Sequence, residues 1–288
     1  MKRGWKIFWI VLAAITGLGV LFGCVALAMG LTFSQIEAAY PNGIGFVEET
    51  RKHWEEDDWH SPAADAQEFQ NISSLDLSVG GCGVCILPSE DDKVRIDRSK
   101  VKFGNSGLDI SVSEESGTLR IETTKDGSIW DVLSGNGVKG ITSRYGTLYC
   151  YLPRNLALEK ADLELGAAEV EIEGIRAKNL NINLGAAECS VDALDAENLT
   201  ATVGARALEI EGAVRGNADV ECGVGSVEME LEGRKEDFNY AVKCGIGEVE
   251  IDDTMEFSGL SNTREINNGS SRNMALTCGI GSIEVAFQ

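Results

Sequence analysis

The chain has 288 residues, with 46 acidic side chains against 25 basic ones and a formal net charge of −21. A polyanion of this kind repels nucleic acid and anionic lipid surfaces, which argues against both as partners and leaves cations or a basic protein as compatible ones. Only 7% of residues are aromatic and four are proline, while 33 are glycine, a composition that suits a glycine-rich β repeat better than a ring-lined ligand pocket.

Lys2, Arg3 and Lys6 precede residues 7–33, a stretch of 27 without a charge. Crossing the hydrocarbon core takes about 20 apolar residues. The basic flank in front and the acidic residues behind (Glu37, Glu48, Glu49) predict one transmembrane helix with a cytoplasmic N-terminus and everything after about residue 34 outside. Trp5 and Trp9 fit the cytoplasmic interface. The tip carries three positive charges, so the remainder carries −24 (−21 − 3). The stretch exceeds the ~7–15 residues of a signal-peptide core, which favours an uncleaved anchor. Cleavage after the Ala26-Leu-Ala28 motif, or lipoprotein processing at Cys24, are the competing fates. Phe22 is bulky for the second.

Residues 34–70 read as an acidic juxtamembrane linker with one short helix at 48–59. It holds both histidines, His53 and His60, around four carboxylates. Seven helical residues separate them by about 10 Å, too far to close a transition-metal site without a loop. Residues 71–153 read as a β-rich N-terminal cap. Strands are expected at 93–97, 108–112, 118–123 and 146–153, with turns at Asp91–Asp92, 104–107 and 114–117 and an irregular glycine-rich segment at 124–145.

Residues 154–288 carry six copies of one phrase, anchored on Gly166, Gly185, Gly204, Gly223, Gly245 and Gly279. The first three steps are 19 residues, the next 22 and the last 34. Counted from the anchor, positions −3, −1, +4 and +6 are apolar and −2, +5 and +7 mostly polar, so each unit is strand, glycine corner, strand. Polar links such as 173–178 are expected between units. Residues 72–79 form a seventh, degenerate copy. Stacked units bury what one cannot, which predicts an all-β, β-solenoid-like domain of about 19-residue coils behind one N-terminal transmembrane helix. A twisted antiparallel sandwich of hairpins is the competing architecture. The inward columns are Leu165, Leu184, Val203, Cys222, Cys244, Cys278 and Ile172, Val191, Ile210, Met229, Ile251, Val285.

This layout resembles a bacterial putative-adhesin family of membrane-anchored β-strand-repeat proteins of unknown function. The resemblance rests on the N-terminal span, the opening Phe69, Ile72, Leu75 and Val79, the strand that ends at Leu152 and Pro153, the glycine repeats, and an Ile-Asn-Asn-Gly turn at 266–269. It covers residues 70–288 and implies an envelope location, near stress-response and sensor genes of Gram-positive bacteria. It supplies no catalytic or binding residues.

Among eight cysteines, Cys24 lies in the span and seven lie beyond it. Cys189, Cys222, Cys244 and Cys278 occupy positions that hold Leu or Val in other copies, so they read as small core hydrophobes, with one disulfide in the thiol column as the alternative. Cys82 and Cys85 have redox or zinc-motif spacing, but there is no second pair for zinc. Core use is weighed there against a local disulfide or redox role.

Outward positions stack carboxylates: Glu171, Glu209, Glu228, Glu250 and Glu284 in one ladder, Glu173, Asp192, Glu211, Glu230 and Asp252 in the next. A solvated, aggregation-blocking face is the plain reading. Ca²⁺ bridging by Glu171, Glu209, Glu211, Glu228, Glu230 and Glu250, or docking of a basic partner, are the functional ones. No other cofactor is implied. The expectation is a non-catalytic, single-pass protein of the bacterial cell membrane. It would hold the lipid bilayer through residues 7–33 and bind or sense an envelope partner outside. Two alternatives stand. One is a scaffold that polymerises end to end through an uncovered last strand, 283–287. The other is an enzyme acting on envelope polysaccharide.

Overall fold

In the computed structural model the alternating segments become fifteen strands, with no α-helix among the described residues 62–102, 108–125, 146–166, 169–252 and 255–288. None of these residues belongs to a helix long and apolar enough to cross a membrane. The predicted span at 7–33 with Cys24, Trp5 and Trp9, the helix at 48–59, His53 and His60 all lie outside the described residues.

The strands form two ladders, one on each side of the glycine corners. The first runs β5 (Leu108–Glu115), β6 (Thr118–Lys125), β2 (Ser74–Val79), β8 (Leu158–Leu165), β10 (Ile175–Leu184) and the middle of β11 (Glu188–Val214). It continues through the first halves of β12 (Ala218–Leu231), β15 (Asn273–Phe287) and β13 (Asn239–Ile251) to β14 (Met255–Ile266). The second runs β1 (Gln67–Phe69), β4 (Val94–Asp97), β7 (Thr147–Pro153), β3 (Gly83–Ser89), β9 (Glu169–Ile172) and the start of β11. It resumes at 205–212 of β11 and in the second halves of β12, β15 and β13. Pairing between successive coils is parallel and in register, as in Leu163↔Ile182↔Ala201↔Val220. This is the coil-on-coil stacking expected of the repeat rather than a set of hairpins.

The inward columns are as expected: Leu165, Leu184, Val203 and Cys222 are each at most 2% exposed, and Ile172, Val191, Ile210 and Met229 at most 3%. The seventh copy also stacks, with Val79 opposite Leu165. The 173–178 link is largely strand, because Ile175 and Ala177 are themselves core residues. Gln67–Phe69, inside the predicted linker, is edge strand β1, and β2 pairs directly with β8, so residues 71–153 and 154–288 share one core.

The order of the coils is the main departure from the sequence. β15 lies between β12 and β13, pairing in parallel with both. The inward thiol column therefore runs Cys222–Cys278–Cys244. The last strand is covered on both sides, which removes the uncovered edge behind the end-to-end scaffold. The 34-residue step is explained too: β13 turns back into antiparallel β14, and a loop at 267–272 then returns the chain into the open slot. The other end mirrors this. β2 and β3 sit one coil inside, beneath the coil of β6 and β7. Antiparallel β5 and β4 close that end.

Two features hold the coils in register. At the corner, a Cβ on Gly279 would lie 2.5 Å from the Gly223 carbonyl oxygen, and one on Gly245 would lie 2.6 Å from that of Gly279. Only glycine allows so close an approach. At position −6 an asparagine ladder crosses six coils. Asn179 donates to the Glu159 carbonyl, Asn198 Nδ2 to Asn179 Oδ1 (3.1 Å), and the Asn217 N–H to Asn198 Oδ1 (3.2 Å). The Asn273 N–H donates to Asn217 Oδ1 (3.0 Å) and Asn239 Nδ2 to Asn273 Oδ1 (3.2 Å). Asn239 Oδ1 then accepts from the N–H groups of Asn268 and Ser270, and its Nδ2 donates to the Ser270 carbonyl at 2.7 Å. The ladder thus follows the spatial order of the coils and pins the return loop.

Gly279→Ala is expected to destabilise the fold by about 2–3 kcal/mol, through backbone overpacking. Gly269→Ala, at φ 72° with nothing within 4 Å, should cost about 1 kcal/mol from its left-handed backbone alone. Equal losses in urea unfolding would show that the corner is not close-packed. Asn239→Ala should cost about 1–3 kcal/mol by orphaning the loop's donors. An unchanged midpoint would refute the loop-pinning role.

Candidate functional site

The outer face of the second ladder carries the carboxylates. Register brings Glu209, Glu228, Glu284, Glu250 and Glu256 side by side on five neighbouring strands. Glu211 and Glu230 pair in the next row, which Ala286 continues. Glu171 lies apart, with Ser190 on one neighbour and Cys85 on the other. So Glu209, Glu228 and Glu250 share a row, Glu211 and Glu230 share another, and Glu171 joins neither. A row at strand spacing does not converge as a cation cage must. Among the described residues no three carboxylate, thiol or imidazole groups come together as a metal site would require. Burial, followed by the charges of Asp192, Glu173 and Glu169, pushes the Glu171 carboxyl up from its ordinary value.

Basic partners cluster elsewhere. Arg176 and Arg215 both hold Asp195 on the first ladder, at 3.0 and 2.7 Å. Arg95 bridges Glu68 and Asp91 at the β1–β4 edge. On the second ladder Arg206 reaches Glu188 at 2.9 Å. Arg206 stands in register with Gly225 and has φ 91°, whereas Gly225 and Gly281 sit at φ 148° and 138° without a side chain to strain.

The same coils expose a row of aliphatic residues at the corner. Val224, Ile280 and Ile246 are 53%, 52% and 58% exposed and lie in lateral register. Each is flanked by glycines, at 223 and 225, 279 and 281, and 245 and 247. The sequence reading missed this row because position +1 holds alanine in the first copies. Three large aliphatic residues in the last three copies were the available signal.

All seven described cysteines are free and buried. Cys82 and Cys85 do not form a redox pair. Cys82 belongs to the core, whereas Cys85 has the opposite parity, opposite Tyr149 and Glu171, and is buried outside that core. Burial raises the thiols of Cys82, Cys150 and Cys189 to about 12 and that of Cys278 to about 11. Such thiols are poor nucleophiles.

The sequence profile of the Toastrack DUF4097 family matches residues 78–278. The chain belongs to this family. The Toastrack match runs from the end of β2 to Cys278 in the middle of β15 and so spans most of the coils described above. No curated protein matches the chain. Among solved structures it is similar to a putative cell adhesion protein from Clostridium sporogenes, at 14% identity and a TM-score of 0.34, covering 78% of this chain and 100% of that one. A putative adhesin from Bacteroides fragilis shows 10% identity and a TM-score of 0.35, covering 78% and 98%. A putative lipid binding protein from Parabacteroides distasonis shows 12% identity and a TM-score of 0.24, covering 77% and 96%. Likeness at this level assigns no ligand to the Toastrack coils.

Glu228→Gln should raise the unfolding midpoint by about 1–3 °C at low salt, by relieving like charges on neighbouring strands, and the gain should vanish at high salt. Millimolar Ca²⁺ should act only as an equal ionic strength of Na⁺ does. A calcium-specific rise abolished by Glu209→Gln plus Glu228→Gln would instead establish a cation site. In native chain at pH 8, iodoacetamide followed by peptide mapping should leave the seven described thiols unmodified, and unfolding should expose all of them. Rapid native labelling of Cys82 or Cys85 would contradict the burial described.

Proposed function

We propose that this protein is a non-catalytic, adhesin-like binder of the bacterial envelope. It is anchored in the membrane by residues 7–33 and presents its stacked coils outside. The observation that carries this reading is the outer face of the last coils, where the exposed row Val224, Ile280 and Ile246 runs beside the carboxylate row. A spacer or a purely solvated scaffold gains nothing from large aliphatic side chains lined up in water, whereas an aligned apolar patch rimmed by polar groups is what a contact surface has. The charge pattern of the N-terminus supports the orientation, with Lys2, Arg3 and Lys6 on the cytoplasmic side and the strongly acidic remainder outside.

The test is fractionation of cells that express the full chain, followed by added protease on wall-stripped cells. The chain should sediment with membranes, and antibodies to the β domain should detect external cleavage or release without lysis. Recovery in the soluble fraction, or protection of the β domain until cells are broken open, would overturn the reading.

A further inference from the structure

The exposed aliphatic row does not stand alone. Moving along β12, β15 and β13 from Val224, Ile280 and Ile246, the next residues are Gly225, Gly281 and Gly247, and then Ser226, Ser282 and Glu248. One inward residue later come Glu228, Glu284 and Glu250. Register keeps each set in line across the three coils. The surface is therefore banded, with an aliphatic row at the corner, a middle row of Ser226, Ser282 and Glu248 beyond the glycines, and a carboxylate row.

The aliphatic and carboxylate rows are four residues apart across the corner, at most about 13 Å. An α-helix with its side chains is about 10–12 Å across, so one helix lying along the stacking axis reaches both rows. Along that axis the rows repeat at about 4.8 Å, the strand spacing. Side chains on one face of a helix repeat at about 5.4 Å, one turn, so three successive contacts drift by only about 1 Å. An extended strand laid in the same direction would repeat same-face side chains every ~6.6 Å and lose register by the third row.

We propose that this banded face docks an amphipathic α-helix of a partner protein, with aliphatic residues along one flank and Lys or Arg along the other. The aliphatic flank covers Val224, Ile280 and Ile246. The cationic flank meets Glu228, Glu284 and Glu250. Charge complementarity selects this occupant over others. A second copy of the chain would set this carboxylate row against either its like or an aliphatic row, both unfavourable, and an anionic lipid surface would be repelled. The inference rests on the binding role proposed above and adds the class of partner and the site.

The test uses the full chain in nanodiscs of phosphatidylcholine, with empty nanodiscs as the blank. The probe is a fluorescent, helical 18-residue peptide of Leu and Lys in amphipathic order, compared with the same composition scrambled so that no apolar stripe forms. Saturable binding should be tighter for the amphipathic peptide and should weaken with salt. Ile280→Ser plus Ile246→Ser, and separately Glu228→Gln plus Glu284→Gln, should each weaken it by about tenfold or more. All four positions are at the surface, so cooperative thermal unfolding at a midpoint no lower than that of the unaltered chain checks each fold. Equal binding of the scrambled peptide, or full affinity in either double variant, would overturn this docking face. That outcome is separable from failure of the envelope reading, which cell fractionation and protease access decide without any peptide.

Discussion

Each coil rests on the next through parallel, in-register backbone hydrogen bonds, and this contact dictates what every position of the repeat can hold. It leaves no space for a Cβ between Gly279 and Gly223 at the corner. It requires inward residues of similar bulk in each column, which is why Cys222 and Cys278 can follow Leu165, Leu184 and Val203. It also sets like residues beside like. For asparagine that is favourable, because an amide both donates and accepts, and the ladder from Asn179 to Asn268 results. For glutamate it is unfavourable, and water and salt screen the row from Glu209 to Glu256.

A stack of parallel coils has two raw ends, and a raw end is an invitation to aggregate. This fold closes them with antiparallel strands and leaves neither end to the first or last coil of the sequence. β2 and β3 lie beneath the coil of β6 and β7, and β15 lies beneath β13. Placing β15 in the slot satisfies two strand edges at once. Phe238, Tyr240 and Phe287 pack together near that closure, with the Arg272 guanidinium 4.6 Å from the Phe238 ring centre.

The two ladders carry different surfaces. On the first, acidic groups have basic neighbours, as in the Arg176–Asp195–Arg215 set. On the second, the carboxylates of the last coils line up beside exposed aliphatic residues. The aliphatic row is confined to coils whose corners read Gly-x-Gly.

Much of this was legible in the residues. Period-two alternation identified the strands and both inward columns, since a residue's parity alone decides which side of a strand it faces. The same parity places Cys82 and Cys85 on opposite sides, three residues apart. The asparagines at −6 were equally visible, in five of the six copies with Lys160 in the first, but lie three positions before the repeated phrase. The segment at 173–178 looked polar because its buried residues, Ile175 and Ala177, alternate with Arg and Lys. Coil order was not legible. The copies at Gly223, Gly245 and Gly279 present the same inward thiol and the same glycine corner, so any order satisfies the pattern. The sequence by itself therefore determined the repeat, the buried columns and the acidic surface, because these depend only on alternation within one coil. The tertiary structure alone decided which coil lies on which, because that depends on where β14 folds back and where the Asn239-pinned loop returns the chain.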